Sequence, residues 1–139
     1  MMKPFKNLPI KIKLILVIQS MAMLMGTSTH LVWLLRNGVL SEKYHAPLPS
    51  MLFWDSLTLL DPLAALLLFI KPKAGLVLTL IIITLDVIHN NTYYFDELYM
   101  QGVGLAEWLE KYWMILGQIL FAVFVLFTFR SNLRNVNAT

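Results

Sequence analysis

Residues 51–70 read MLFWDSLTLLDPLAALLLFI and residues 74–95 read AGLVLTLIIITLDVIHNNTYYF, joined by Lys71-Pro72-Lys73. Each run is close to the roughly 20 apolar residues a helix needs to cross a bilayer. In lipid the backbone must satisfy its own hydrogen bonds, so runs of this kind are helices. The three residues between them leave room only for a minimal turn, which predicts a tight antiparallel hairpin. Period-two alternation is absent, and that excludes a transmembrane β-barrel.

Two further runs flank the hairpin, at about 14–35 and about 112–129. The chain is therefore expected to be all-α, a polytopic four-helix transmembrane bundle filling residues 1–139 as one domain. Its helices are placed at about 14–35, 51–70, 74–95 and 112–129, with a short interfacial helix at about 105–111 leading into the fourth. Composition agrees: 58% of residues are hydrophobic and 14% charged, against about 25% charged in soluble domains. Disorder is excluded by 17 aromatic residues (4 Trp, 5 Tyr, 8 Phe). The absence of cysteine removes disulfides, thiolate metal sites, iron–sulfur clusters and thiol chemistry.

Lys3, Lys6, Lys11 and Lys13 precede the first run, which resembles a signal peptide in its charge. The run is longer than a signal core and no small-residue cleavage site follows, so an uncleaved first helix is expected. Basic residues also set orientation. Lys71, Lys73, Arg130 and Arg134 join the four N-terminal lysines on one side, leaving Arg36, Lys43 and Lys111 on the other. Glu42, Asp96, Glu97, Glu107 and Glu110 lie opposite the basic side. Both termini are thus expected in the cytoplasm of a multi-pass protein, with a bacterial inner membrane the expected location. The net charge of +3 reflects topology and contact with membrane lipid. No basic patch interleaved with aromatics points to nucleic acid. Trp33, Trp54, Tyr93, Tyr94, Trp108 and Trp113 are placed at the outer boundary, where amphipathic rings prefer to sit.

Polar residues inside the spans carry the functional reading, because ionisable groups in lipid are costly unless paired or facing a cavity. At 1.5 Å rise per residue, His30, Asp55, His89 and Asn90 sit roughly 24–25 Å above the cytoplasmic edge, Asp86 about 20 Å, Gln118 about 18 Å and Asp61 about 15 Å. Most of this set falls in the outer half of a core about 30 Å thick. The pattern predicts a polar pocket in the outer half, sealed below by apolar packing, rather than a continuous pore. Thr79, Asp86, His89, Asn90 and Tyr93 share one helical face, and Gln19, Gly26, His30 and Trp33 share another. His30, Asp55, Asp86, His89 and Asn90 are the candidate pocket residues. Hydrogen-bonding glue between helices is the competing explanation, above all for the Thr, Asn and Gln residues. Asp61-Pro62 predicts a kinked or interrupted second helix, since Pro62 frees the carbonyl of Thr58 and Asp61 is placed to cap that turn. Asp86 is accordingly expected to matter for a ligand and Asp61 for the kink.

No helix carries the paired Glu-x-x-His or His-x-x-x-His spacing of a metal site, and Asp86-x-x-His89 occurs once, so no metal ligand set and no cofactor are assigned. Two histidines on different helices, His30 and His89, are the only arrangement that suits a haem.

Asp55 early in the second helix, Pro62 seven positions on and the polar stretch His89-Asn90-Asn91 on the third give residues 53–92 a resemblance to the emopamil-binding protein and sigma-2 receptor superfamily. That resemblance implies a membrane-embedded pocket for sterols and amphiphilic amines, with Asp55 as the amine partner. The chain departs from the pattern in lacking an acidic residue on helix one and in its short first outer loop. It also looks like the many small four-helix membrane proteins of bacteria. The leading expectation is a pocket in the outer half of the bilayer that binds or processes a small amphiphile or lipid. A small structural subunit, acting as a homo-oligomer or within a larger membrane complex, is the alternative, and a metal or haem redox protein a third.

Overall fold

The computed structural model describes residues 4–93, 102 and 104–137. Four long helices make the fold: α1 (Ile10–Asn37), α2 (Leu48–Ile70), α3 (Pro72–Tyr93) and α4 (Leu105–Asn137). All four are long and apolar enough to cross a membrane, and the all-α four-helix architecture expected from the sequence is the one observed. The chain has the build of a multi-pass membrane protein. Its outward faces carry large apolar side chains such as Phe127 (85% exposed) and Leu59 (75%), a surface suited to lipid and not to water.

The boundaries follow local chemistry. Pro9 precedes α1, and Gly38 ends it at a φ of 84°, with its N–H on the Leu34 carbonyl at 2.9 Å. A positive φ of this size suits glycine. Pro47 and Pro49 open α2, where the missing N–H groups would have had no helical partner. Between α2 and α3 only Lys71 intervenes, its N–H on Leu67 O at 2.8 Å, and Pro72 starts the next helix. The hairpin is as tight as the Lys71-Pro72-Lys73 signal implies.

Gly75 makes that turn tighter still. A Cβ built on it would stand 2.7 Å from both the Leu67 carbonyl carbon and the Leu68 Cα. The first turn of α3 therefore lies directly on the last turns of α2, backbone against backbone.

Three features depart from expectation. The helices extend beyond their apolar runs, α1 to Ile10–Asn37 and α4 to Leu105–Asn137. Hydropathy marks the part in lipid, whereas helical hydrogen bonding continues through polar turns. The interfacial helix at 105–111 is correspondingly the first two turns of a single α4, with no proline or glycine before Gly117 to break it. At 33 residues, α4 is about 50 Å long, more than a bilayer core requires. Third, α2 is helical through Pro62, so the helix is not interrupted there. The lost hydrogen bond is tolerated because Ala64, Ala65 and Leu68 beyond it are buried and hold the helix in register. The expected end of the third helix at Phe95, and Tyr94, Asp96 and Glu97, lie outside the described residues.

Packing is sequential. α1 lies along α2, α2 along α3 and α3 along α4, while α1 and α4 touch only sparsely. Leu8, Ile12, Leu16, Leu68, Leu76 and Val136 form one apolar cluster where the N-terminal segment, the α2–α3 turn and the end of α4 meet; this is the termini end. The opposite end, with loop 38–47, is the loop end. Met23, Trp54, Leu57, Ala64, Ala65 and Ile82 fill the middle.

Candidate functional site

The loop end is closed by aromatic rings. Trp33 and Tyr44 lie 4.9 Å apart, Tyr44 and Trp54 5.3 Å, and Trp54 and Tyr93 5.1 Å between centroids. Tyr93 Oη donates to the Tyr44 carbonyl at 3.0 Å and the His45 carbonyl at 2.5 Å. The loop beneath this cap takes two left-handed residues, Leu40 (φ 52°) and His45 (φ 49°), a conformation that needs support outside glycine. Asp55 supplies it. Its Oδ2 accepts the Leu40 N–H at 2.7 Å and its Oδ1 the Tyr44 hydroxyl at 2.8 Å. Asp55 therefore clamps the loop with both oxygens.

Below the cap, the gap between α1 and α4 opens into a cleft of about 210 Å³. Gly26 and His30 line it from α1, Asp61 from α2, Asp86 from α3, and Trp113 and Gln118 from α4. Each helix thus contributes at least one polar side chain, and α1 two, Thr29 and His30. Asp61 (4% exposed) and Asp86 (6%) form the back wall. Met25 (65%) and Trp113 (59%) stand at the rim, on the apolar flank of the bundle. The floor is Met23, Ile82, Ile83 and Phe121, all apolar.

Gly26 is what makes room for Asp61. A Cβ at position 26 would come within 2.6 Å of Asp61 Oδ2, so the carboxyl lies over the bare α1 backbone. No hydrogen-bond partner of Asp61 lies among the described residues, Thr58 included. Thr58 Oγ1 is itself buried and unpartnered.

Asp86 is held differently. Trp54 Nε1–H donates to Asn90 Oδ1 at 2.9 Å, and Asn90 Nδ2 donates to Asp86 Oδ1 at 3.0 Å and to Gln118 Oε1 at 2.9 Å. Asn90 is buried at the hub of α2, α3 and α4. The polarity of the network is chemically forced. An indole nitrogen only donates, so Asn90 must turn its oxygen to Trp54. Its amide nitrogen then faces Asp86 and Gln118, and Gln118 must answer with its oxygen.

The candidate pocket residues are thus divided by the fold. His30 and Asp86 line the cleft, Asn90 braces it from behind, and Asp55 belongs to the loop clamp. His89 does not line the cleft. It sits against Phe53 (4.9 Å) and Trp54 (5.2 Å), its Nε2 buried without a partner. Asp61, read from the sequence as a kink residue, also lines the cleft. The signal was present: Trp54, Leu57, Asp61, Ala64 and Leu68 form the buried stripe of α2, spaced as one helical face. Gln118 and Trp113 were visible only as a polar addition and a boundary ring.

Beneath the apolar floor lies a second polar tier. Gln19 Nε2 donates to Thr128 Oγ1 at 3.3 Å, and Thr79 and Asn132 are fully buried with side-chain atoms that find no partner. Among the described residues no group of three or more His, Cys, Asp or Glu is placed to hold a metal ion. Comparison with protein-family models, with curated proteins and with solved structures finds no match.

Proposed function

We propose that this membrane protein binds a small single-chain amphiphile in the cleft between α1 and α4, its polar head against Asp61 and Asp86. One observation carries the reading: Asp61 is buried in the back wall of an open cleft without a hydrogen-bond partner among the described residues. A buried polar group left unmade costs about 1–3 kcal/mol, and a ligand head supplies what is missing. Placement of the mouth on the apolar flank favours entry from the lipid. Flexible Met23, Met25 and Met114 along the walls suit a chain of adaptable fit. The resemblance to the emopamil-binding superfamily points to Asp55 for the head, but both Asp55 oxygens are occupied by the loop, and the free carboxyl oxygens lie at Asp61 and Asp86.

A structural subunit would need the Trp54–Asn90–Gln118 network as glue between helices. It would have no use for Asp61, and this favours the binding reading.

Asp86→Asn tests it. The substituted amide oxygen still accepts from Asn90, so the bundle keeps its melting temperature, while the cleft oxygen becomes an N–H. Native mass spectrometry of protein extracted in mild detergent is expected to find an amphiphile on the wild type and less of it on Asp61→Asn, which gives up a carboxyl oxygen that the head satisfies. Occupancy should fall about tenfold in Asp86→Asn, the equivalent of about 1.4 kcal/mol for a hydrogen bond to a charged group. An empty wild type, or equal occupancy in Asp86→Asn, overturns the proposal.

The cleft lies nearer the loop end, and the distribution of Lys and Arg assigns that end to the non-cytoplasmic side. Reporter fusions at Lys73 and at Gly102 are expected to give opposite signals, cytoplasmic at Lys73. Identical signals refute the orientation.

A further inference from the structure

The hydrogen-bond network behind the cleft specifies the head it accepts. Trp54 Nε1–H fixes Asn90, and Asn90 fixes both Asp86 Oδ1 and Gln118 Oε1. What remains for the cleft follows by subtraction. Gln118 lines the cleft, and with its oxygen taken by Asn90 its Nε2–H₂ group is left without a partner among the described residues. Asp86 lines it too, and with Oδ1 taken by Asn90 its Oδ2 is left without a partner among the described residues. The wall therefore offers one fixed donor beside one fixed acceptor, on adjacent helices and bridged by a single amide. No lysine or arginine is among the lining residues, and the one basic side chain there, His30, shares the cleft with two carboxyls, Asp61 and Asp86, so the cleft disfavours an anionic head.

We infer that the cleft selects an uncharged head that donates and accepts hydrogen bonds side by side, of the primary amide or alcohol class, and that Trp54 and Asn90 are the positioning residues that impose this choice. The inference rests on the amphiphile reading above and narrows it. A quaternary ammonium has no N–H for Asp86 Oδ2. An ether has an acceptor for Gln118 but nothing to donate. A carboxylate has no proton to donate and meets two Asp side chains. A primary amide meets both groups at once, because its N–H and C=O lie on one edge, as the wall's acceptor and donor do.

The two positioning residues act through polarity and not through contact. Trp54 lies behind Asn90, away from the lining, yet its N–H together with Asp86 Oδ1 sets which way Asn90 and hence Gln118 face. Loss of that donor loosens the network but does not reverse it, because Asp86 Oδ1 still takes the Asn90 N–H and keeps the amide the same way round. Trp54→Phe keeps a ring in the cap and removes the donor. Gln118→Glu goes further: one oxygen still accepts from Asn90 Nδ2, and the other faces the cleft as an acceptor in place of the N–H₂ group.

The probe is 12-bromododecanol, whose bromine quenches Trp113 at the rim of the cleft, with Trp113→Phe giving the background from the other tryptophans. The competitors share a twelve-carbon chain: dodecanamide, dodecyl methyl ether and dodecyltrimethylammonium. In wild-type protein in nanodiscs, dodecanamide is expected to displace the probe at about tenfold lower concentration than the ether or the quaternary ammonium, as loss of one good hydrogen bond dictates. Trp54→Phe should narrow the margin of dodecanamide to about threefold while keeping it first, because Asp86 still orients Asn90, with probe quenching retained. Gln118→Glu should invert the order, placing dodecyltrimethylammonium ahead of dodecanamide. Equal competition in the wild type, or an unchanged order in Gln118→Glu, overturns the head assignment while leaving the amphiphile reading standing. If Trp54→Phe fails to fold, the Gln118→Glu order alone decides. Because Trp113 is also exposed to lipid, only the quenching that a competitor reverses reports the cleft, and absence of any reversible Trp113 quenching in the wild type overturns the amphiphile reading itself.

Discussion

Gly75→Ala is expected to destabilise the bundle by about 3 kcal/mol, the upper end of what overpacking costs. The added methyl would stand 2.7 Å from the Leu67 carbonyl carbon and from the Leu68 Cα. Those are backbone atoms, and they cannot rotate away as a side chain tip does. Relief requires α3 to move off α2 at the one place where Lys71 alone connects them. The shift would also open the apolar cluster that joins Leu68 and Leu76 to Leu8 and Leu16. Gly117→Ala is the matched control. It lies within α4, nothing stands within 4 Å of a Cβ there, and alanine favours a helix over glycine by about 1 kcal/mol. Thermal unfolding in detergent, followed by circular dichroism, should lower the midpoint for Gly75→Ala and leave it equal or higher for Gly117→Ala. Equal midpoints would mean that the hairpin is looser than its geometry indicates.

The membrane architecture was legible because lipid imposes it. Four apolar runs and the three-residue turn at Lys71-Pro72-Lys73 leave few other ways to satisfy the backbone. Asp86 and His30 were legible for the same reason, as ionisable groups where such groups are costly. Depth alone did not separate the remaining polar residues, because depth says nothing about azimuth. Asp55 and Asp61 are six residues apart on α2, roughly 120° around the helix. One therefore reaches the loop through Leu40 and Tyr44, and the other lies over Gly26. His89 and Asn90 differ by one residue, and that step turns His89 onto Phe53 while Asn90 faces Trp54, Asp86 and Gln118. The sparse contact of α1 with α4, which opens the cleft, depends on how four helices close a ring. No local pattern in either helix encodes it.

Asn90→Leu is expected to cost about 2–4 kcal/mol, although leucine is more lipid-compatible than asparagine. In water the exchange would bring a hydrophobic gain; inside a bilayer that gain is absent, because the surrounding chains are as apolar as the leucine. What is left is the loss. The Trp54 indole N–H and the Gln118 oxygen lose their partner together, and each orphaned buried group costs about 1–3 kcal/mol. Single hydrogen bonds between membrane helices average only about 0.6 kcal/mol, since the separated helices also find partners. A hub differs from a single bond in stranding several groups at once, which places the expected cost above that average. Thr79→Val makes the comparison sharp. Thr79 is as deeply buried on the same helix, yet its hydroxyl already lacks a partner, so removing it strands nothing and should leave stability unchanged or slightly raised. Titration with a denaturing detergent should therefore separate two polar-to-apolar changes on one helix by about 30-fold or more in unfolding constant. If Asn90→Leu proves as stable as the wild type, the network does not join α2, α3 and α4, and the fixed polarity of the cleft wall falls with it.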